Sequence, residues 1–260
     1  MTIPFTKASA CGNDFLIVDI EHATAGIHEL TTRLCDRHNG VGADGVEWLS
    51  PASDVNAEIR LINADGSEAE ISGNGTRCVA AHLADTRGGT YFKIRTDAGV
   101  KVCELVAKHE QSFMFETAMG GPKVEKPFAL KINSGSVTGT PVSMGNPHYV
   151  VFVDEFPTGW QNQAAEIQKQ PCFPEGVNVE FVRVMNAETI DVRFFERGAG
   201  ETLSSGTGSC ASAVASIFGG KLKSPVKVQA AGGAQVVRWE NNEVFLRGPA
   251  TLVCRGEYFV

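Results

Sequence analysis

The sequence predicts an α+β protein of two pseudo-symmetric lobes, each a mixed β-sheet or barrel wrapped around one central helix. Three observations lead there. Strand-like runs far outnumber helical ones, two helical segments are apolar on nearly every side, and the surroundings of those two segments repeat.

Runs rich in β-branched and aromatic residues mark strands at 58–62, 91–96, 100–106 and 112–116 in the first half. The second half has them at 140–144, 149–153, 179–184, 189–195, 226–229, 235–239 and 243–247, with a last run near 251–254. Pairs such as Gly232-Gly233 and Asn241-Asn242 separate them. Segments 28–37 and, more weakly, 163–169 carry an ordinary helical pattern. Segments 76–85 and 209–218 are different: both are rich in alanine, and both follow a Gly-x-Gly. A helix that is apolar nearly all round belongs in the middle of a core, so each should sit inside its own lobe. The first lobe is expected over 1–117, joined by the last strand at about 249–260, and the second over 118–248. Met119-Gly-Gly-Pro-Lys123 reads as a hinge.

The repeat sharpens this division. Asn63-Ala-Asp-Gly-Ser-Glu68 leads to Ser72-Gly-Asn-Gly75, and Glu196-Arg-Gly-Ala-Gly-Glu201 leads to Ser205-Gly-Thr-Gly208. Glu68 and Glu201 each precede the serine by four residues, Asn63 and Glu196 each by nine, and the serines stand 133 residues apart. A duplicated lobe is expected to bring the two turns face to face across a cleft. A helix N-terminus offers unpaired N–H groups and partial positive charge. Two of them around one α-carbon would hold a carboxylate and stabilise the charge left when the α-proton departs. A single Gly-x-Gly would be an ordinary tight turn; two with matched glutamates point to a site. Neither turn ends in Gly-Lys-Ser/Thr or completes G-x-G-x-x-G, so a phosphate loop is a poor rival.

The bulk numbers set limits. A net charge of −7 without any Lys/Arg block argues against nucleic acid. No apolar stretch approaches membrane-spanning length, and the N-terminus lacks the pattern of a signal peptide, so no membrane and a cytoplasmic location are expected. Seven scattered cysteines without a C-x-x-C pair suggest buried thiols, with no metal and no organic cofactor indicated.

Several segments resemble those of the diaminopimelate epimerase family. They are Gly12-Asn-Asp-Phe15 after Lys7, Arg37-His-Asn-Gly-Val-Gly-Ala-Asp-Gly45, Asn63-Ala-Asp-Gly-Ser67 and Gly73-Asn-Gly-Thr-Arg-Cys78. Gly145-Asn-Pro-His148, Glu175-Gly-Val-Asn178, Glu196-Arg-Gly198 and Gly206-Thr-Gly208 follow in the family's order. The resemblance implies a two-lobed cytoplasmic enzyme of lysine biosynthesis, often a homodimer, acting on a small amino-acid substrate without a cofactor. It implies substrate-binding groups at Asn13, Asn63, Asn146, Asn178, Glu196 and Arg197. The backbones of Gly73, Asn74, Gly206 and Thr207 would cradle the reacting carboxylate. Arg197 suits a bidentate carboxylate, the asparagines and Glu196 suit an ammonium group, and His148 suits tuning of an acid or base.

One departure is chemical. The residue before each Gly-x-Gly is a cysteine in the family, whereas here it is Ser72 and Ser205. A thiol at a helix N-terminus can exchange protons near neutrality; a hydroxyl needs an adjacent base. Loss of one positioned acid–base group typically costs on the order of 10²–10⁴-fold. The expectation is thus an isomerase scaffold for LL- and meso-2,6-diaminopimelate with impaired turnover, with Ser72 and Ser205 at the base positions aided by His148 or Glu196. The paired change fits a divergent member or a deliberate replacement. A related amino-acid racemase or hydroxyproline epimerase/dehydratase, and a non-catalytic amino-acid-binding protein, are the alternatives. Cys78 and Cys210, inside the helices, are expected to point into packing.

Overall fold

The computed structural model describes residues 2–23 and 26–260. The chain divides into two compact units, Met1–Thr117 with Gly248–Val260, and Ala118–Arg247. Unit 1 contains β1 (Thr2–Ala10), β2 (Asn13–Asp19), α1 (Ile27–Cys35), β3 (Gly45–Ser50), β4 (Ala57–Asn63) and β5 (Glu68–Ala69). It continues with α2 (Gly73–Thr86), β6 (Tyr91–Thr96), β7 (Gly99–His109) and most of β8 (Ser112–Gly120). Unit 2 holds β9 (Lys123–Val124), β10 (Phe128–Ile132), β11 (Gly135–Ser143), β12 (Pro147–Phe152), α3 (Trp160–Gln168), β13 (Asn178–Val184) and β14 (Thr189–Glu196). After β15 (Gly200–Thr202), α4 (Gly206–Phe218), β16 (Val226–Ala230) and β17 (Gly233–Glu240), strand β18 (Glu243–Phe259) starts in unit 2 and ends in unit 1.

The unit 1 strands form a closed ring in the order β1-β2-β3-β4-β6-β7-β8-β18, which returns to β1. Two neighbour pairs are parallel, β2 with β3 and β4 with β6. Unit 2 repeats this pairing: β11–β12 antiparallel, β12–β13 parallel, β13–β14 antiparallel, β14–β16 parallel, then β16–β17 and β17–β18 antiparallel. A parallel pair needs a crossover. In unit 1 the crossovers carry α1 and α2; in unit 2 they carry α3 and α4.

The two faces of each sheet have different jobs. On β2, Phe15 and Ile17 join the core around α2, whereas Leu16 and Val18 join the one beneath α1. On β3, Leu49 belongs to the α2 core and Val46 and Trp48 to the α1 core, where Trp48 donates its indole N–H to Thr31 at 2.9 Å. Helix α2 contributes Cys78, Val79, Ala80, Ala81 and Leu83 to the inner core, all fully buried. In unit 2, α4 does the same with Cys210, Ala211, Ala213, Val214 and Ala215, among Val150, Val182, Val192 and Phe194. Their alanines let strands close around the helix, and each large apolar side chain buried there contributes about 1.5–3 kcal/mol.

The element boundaries differ from expectation in physically readable ways. Strands β1, β2, β3 and β10, and the short β5, β9 and β15, match none of the expected runs. β2 and β3 are buried on both faces, which removes the alternation that marks a half-exposed strand. Helices α2 and α4 start at Gly73 and Gly206, three residues before the expected 76 and 209, because a serine cap outweighs the poor helix propensity of Gly-x-Gly. Residues 119–123, expected to be a hinge, are strand at both ends: Met119 and Gly120 finish β8, and Lys123 starts β9.

Candidate functional site

Each unit gathers candidate site residues at the head of its central helix. In unit 1, Ser72 is the N-cap of α2 in an extended conformation, and its Oγ accepts from Gly75 N–H at 3.1 Å. Asn74, buried in the first turn, donates through Nδ2 to Asn13 Oδ1 at 2.7 Å. Asn13 follows a two-residue turn, Cys11-Gly12, with positive φ at both positions, which suits a tight hairpin. Its own amide donates to Asp44 Oδ2 at 3.1 Å, and Asp44 receives Arg37 at 2.8 Å. Buried Arg77 donates to Asn74 Oδ1 and to the Pro249 carbonyl. These contacts fix where the Asn13 and Asn74 amides point. Gly73 is exposed at the head of the helix, so its backbone is open to a ligand. Asn63 closes its own turn instead, donating to Ser67 Oγ at 3.0 Å.

Unit 2 repeats the capping bond with different partners. Ser205 caps α4, accepts from Gly208 N–H at 3.2 Å, and donates its hydroxyl to Glu196 Oε2 at 2.9 Å. Thr202 donates to the other oxygen of Glu196 at 2.6 Å, so this carboxylate is anchored while receiving the serine proton. Asn146 donates to Thr207 Oγ1 at 3.3 Å, and its Oδ1 lies 3.0 Å from His148 Nε2. His148 Nδ1 lies 2.7 Å from Glu180 Oε1, with both side chains fully buried. With the Asn146 carbonyl as acceptor, Nε2 carries a proton, and Nδ1 and Glu180 share one between them. Burial pushes the Glu180 carboxyl up, and the charge and hydrogen bond of His148 oppose the shift. Asn178 accepts from Arg197 N–H at 2.9 Å and donates to the Pro147 carbonyl at 2.9 Å. The Arg197 guanidinium is exposed and donates to the Glu175 carbonyl at 2.9 Å.

The sequence-predicted residues therefore fall into two sets. Ser72, Gly73, Asn74 and Asn13 gather at the α2 head, with Asn63 turned to its own loop. Ser205, Gly206, Thr207, Glu196, Asn146, His148, Asn178 and Arg197 gather around the α4 head. His148 bonds to Asn146 and Glu180, and not to a serine. Cys78 and Cys210 are fully buried in the inner cores. Sequence reasoning missed Glu47, Glu180, Asp44, Thr202 and Arg77. The 133-residue spacing could have found the first two. It also relates Asn13 to Asn146 and Asn74 to Thr207, so each asparagine that follows a hairpin glycine reaches the second residue of its central helix. Asp19, Glu21 and His22 place ligand atoms within 4.8 Å of one another at the surface of unit 1. Exposed acidic groups of this kind commonly bind no ion.

Chemically, each helix head offers terminal amides that can hold an anion and a hydroxyl oxygen beside them. Among the described residues a carboxylate is hydrogen-bonded to Ser205 and none to Ser72.

The family model described as diaminopimelate epimerase matches residues 5–124 and 140–253. The chain is 38% identical over 275 residues to a diaminopimelate epimerase of Pelotomaculum thermopropionicum, which covers 98% of each chain. It is 37% identical over 283 residues to that of Halothermothrix orenii, covering 100% of this chain and 99% of the other. Among solved structures, a phenazine biosynthesis protein of the PhzF family from Bacillus anthracis superposes with a TM-score of 0.74 at 15% identity, each chain covered completely. A hydroxyproline epimerase from Agrobacterium vitis gives 0.70 at 15% identity, covering 98% of this chain and 90% of that one. At such identity the two structures speak for the fold alone. The match to the family model over most of the chain, and these identities over nearly all of it, show that the chain belongs to the diaminopimelate epimerase family.

Proposed function

We propose that the chain is an epimerase scaffold for 2,6-diaminopimelate, interconverting its LL and meso forms by two-base transfer of the α-proton, with turnover slowed by serine at both base positions. The observation that carries this reading is the pair of identical serine caps, Ser72 on α2 and Ser205 on α4. The reaction asks for one group on each face of the α-carbon. One removes the proton, the other delivers a proton from the opposite side, and helix-terminal amides hold the charge gathering on the carboxylate. Such a path needs no cofactor. Glu196 supports a base role for Ser205, because the hydroxyl already donates to it. Among the described residues no carboxylate is bonded to Ser72; Asn63 stands at the position that matches Glu196 and donates to Ser67. Arg197 and the asparagines suit the distal amino-acid end of the substrate, for which a proline-sized ligand would have less use.

The test is α-proton exchange of diaminopimelate in deuterated water, comparing the chain as given with Ser72→Cys, Ser205→Cys and the double variant. Exchange and epimerisation rising on the order of 10²-fold or more in the double variant are expected. Binding without exchange in every form would instead mark an amino-acid-binding protein. No binding in any form would remove the substrate assignment. Cytoplasmic action as a homodimer is part of the same proposal and rests on the family resemblance. Among the described residues no helix is long and apolar enough to cross a membrane. Sedimentation at micromolar concentration should return twice the 27.8 kDa chain mass; a monomer would overturn the dimer.

A further inference from the structure

The inner core of unit 1 contains a carboxyl group that the proposed reaction leaves unused. Glu47 lies on β3 with its side chain on the face toward α2, between the inward-facing Gly45 and Leu49. It is 0% exposed, and neither carboxyl oxygen has a hydrogen-bond partner among the described residues. Its strand neighbours are Ile17 on β2 and Leu61 on β4, both apolar core residues. Cys78 on α2 feels the Glu47 charge, and Arg77 on α2, Cys11 in the β1–β2 turn and Asp14 on β2 act on that same thiol. Arg77 is committed to Asn74 and Pro249, and Asp14 to Lys7 and Arg37.

The carboxyl is aimed at the first turn of α2. A Cβ built on Gly75 would stand 1.9 Å from Glu47 Oε1 and 3.2 Å from Ser72 Cβ. Glu47 thus occupies the space that a side chain at residue 75 would need, directly behind the serine cap. Unit 2 has the same device: Glu180, 133 residues on, is 0% exposed, and its Oε1 is 2.9 Å from the position of a Cβ on Gly208. There the carboxyl is bonded to His148. In unit 1 the matching residue is Phe15, which cannot share a proton.

We propose that Glu47 is a positioning residue for the Ser72 helix head: a buried carboxyl, without a hydrogen-bond partner among the described residues, that backs the first turn of α2 and leaves the helix-head amides free to hold a substrate carboxylate. The inference deepens the proposed function and rests on it. The positive end of a helix amounts to roughly half an elementary charge, confined to the first turn. A neutral acid behind Gly75 leaves that field intact. An ionised one places a full negative charge in the same turn and opposes an incoming carboxylate. Burial favours the neutral form at ordinary pH and pushes the carboxyl up to about 8. The helix head should therefore hold an anion below that range and lose affinity above it.

The experiment measures 2,6-diaminopimelate binding by calorimetry at pH 6.5 to 9.5 for the chain as given, Glu47→Gln and Glu47→Met. Both variants keep the bulk and cannot ionise, and dividing by their affinity at each pH removes the ligand's own titration. Relative to either variant, the chain as given should weaken by about tenfold across the range, a 1.4 kcal/mol change. A ratio constant with pH would overturn the proposal. The second readout is infrared absorption of the unliganded protein, in a Glu180→Gln background so that Glu47 is the one buried acid among the described residues. A protonated-carboxyl band at pH 7, lost by pH 9.5 and missing once Glu47 is Gln, supports the buried acid. Its absence at pH 7 overturns it whether or not any variant folds less well. If no form binds diaminopimelate at any pH, the substrate reading fails, and the infrared result still decides the state of Glu47.

Discussion

Glu47 also predicts how unit 1 responds to alkali. Its carboxyl moves from an ordinary value of 4.5 to about 8 on burial. Between those two values the folded chain holds a proton that the unfolded chain has released. The favourable contribution is complete below pH 4.5, shrinks as pH rises, and is gone once pH passes 8. From pH 5 to 9 the loss amounts to about 4 kcal/mol, at about 1.4 kcal/mol per pKa unit. Glu47→Gln removes this slope, at the cost of an unpaired amide worth about 1–3 kcal/mol. The variant should be the less stable chain, or an equal, at pH 5 and clearly the more stable one at pH 9. Urea unfolding can be followed through Trp48 alone, the neighbour of Glu47 on β3, in a background where Trp160 and Trp239 are phenylalanine. If the stability difference between variant and parent moved by less than about 1 kcal/mol over pH 5–9, the carboxyl would have to be solvated or paired, and the reasoning would fail.

Gly75→Ala should destabilise unit 1 by about 1–3 kcal/mol, because the new methyl would stand 1.9 Å from Glu47 Oε1. A thermal double-mutant cycle with Glu47→Ala should recover most of that loss; simple additivity would refute the contact. Ser72→Ala should cost about 1 kcal/mol for one lost helix cap, and Ser205→Ala more, since Glu196 also loses a donor. Equal losses in urea would show that the Ser205–Glu196 bond contributes nothing. His148→Phe copies the Phe15 of unit 1 and strands Glu180, buried with its Oε2 already unpaired. The expected cost is about 3–5 kcal/mol at neutral pH, growing toward alkaline pH as the raised Glu180 carboxyl ionises; melting curves with parallel pH profiles would contradict it.

Sequence patterns alone carried the architecture and the two serine-capped helix heads, for identifiable reasons. The central helices announce themselves because a helix surrounded by sheet must be small and apolar on every side, as 76–85 and 209–218 are. The serine caps were legible because Ser before Gly-x-Gly and an alanine-rich run is a local helix-start signal that needs no distant partner. Strands β2 and β3 are illegible in the sequence because burial on both faces erases period-two alternation. Only the tertiary structure decided what the buried carboxylates do. A glutamate in Val46-Glu-Trp48 reads as a polar face turned to water, and nothing within the strand says that β3 turns this residue inward. The direction comes from the ring closing around α2, which puts Val46 and Trp48 beneath α1 and Glu47 against Gly75. Likewise His148 and Glu180 lie 32 positions apart and meet because β12 and β13 pair in parallel with these side chains on one face. Periodicity and caps are local and survive in one dimension; the charge state of a buried acid depends on neighbours that only the closed sheet assembles.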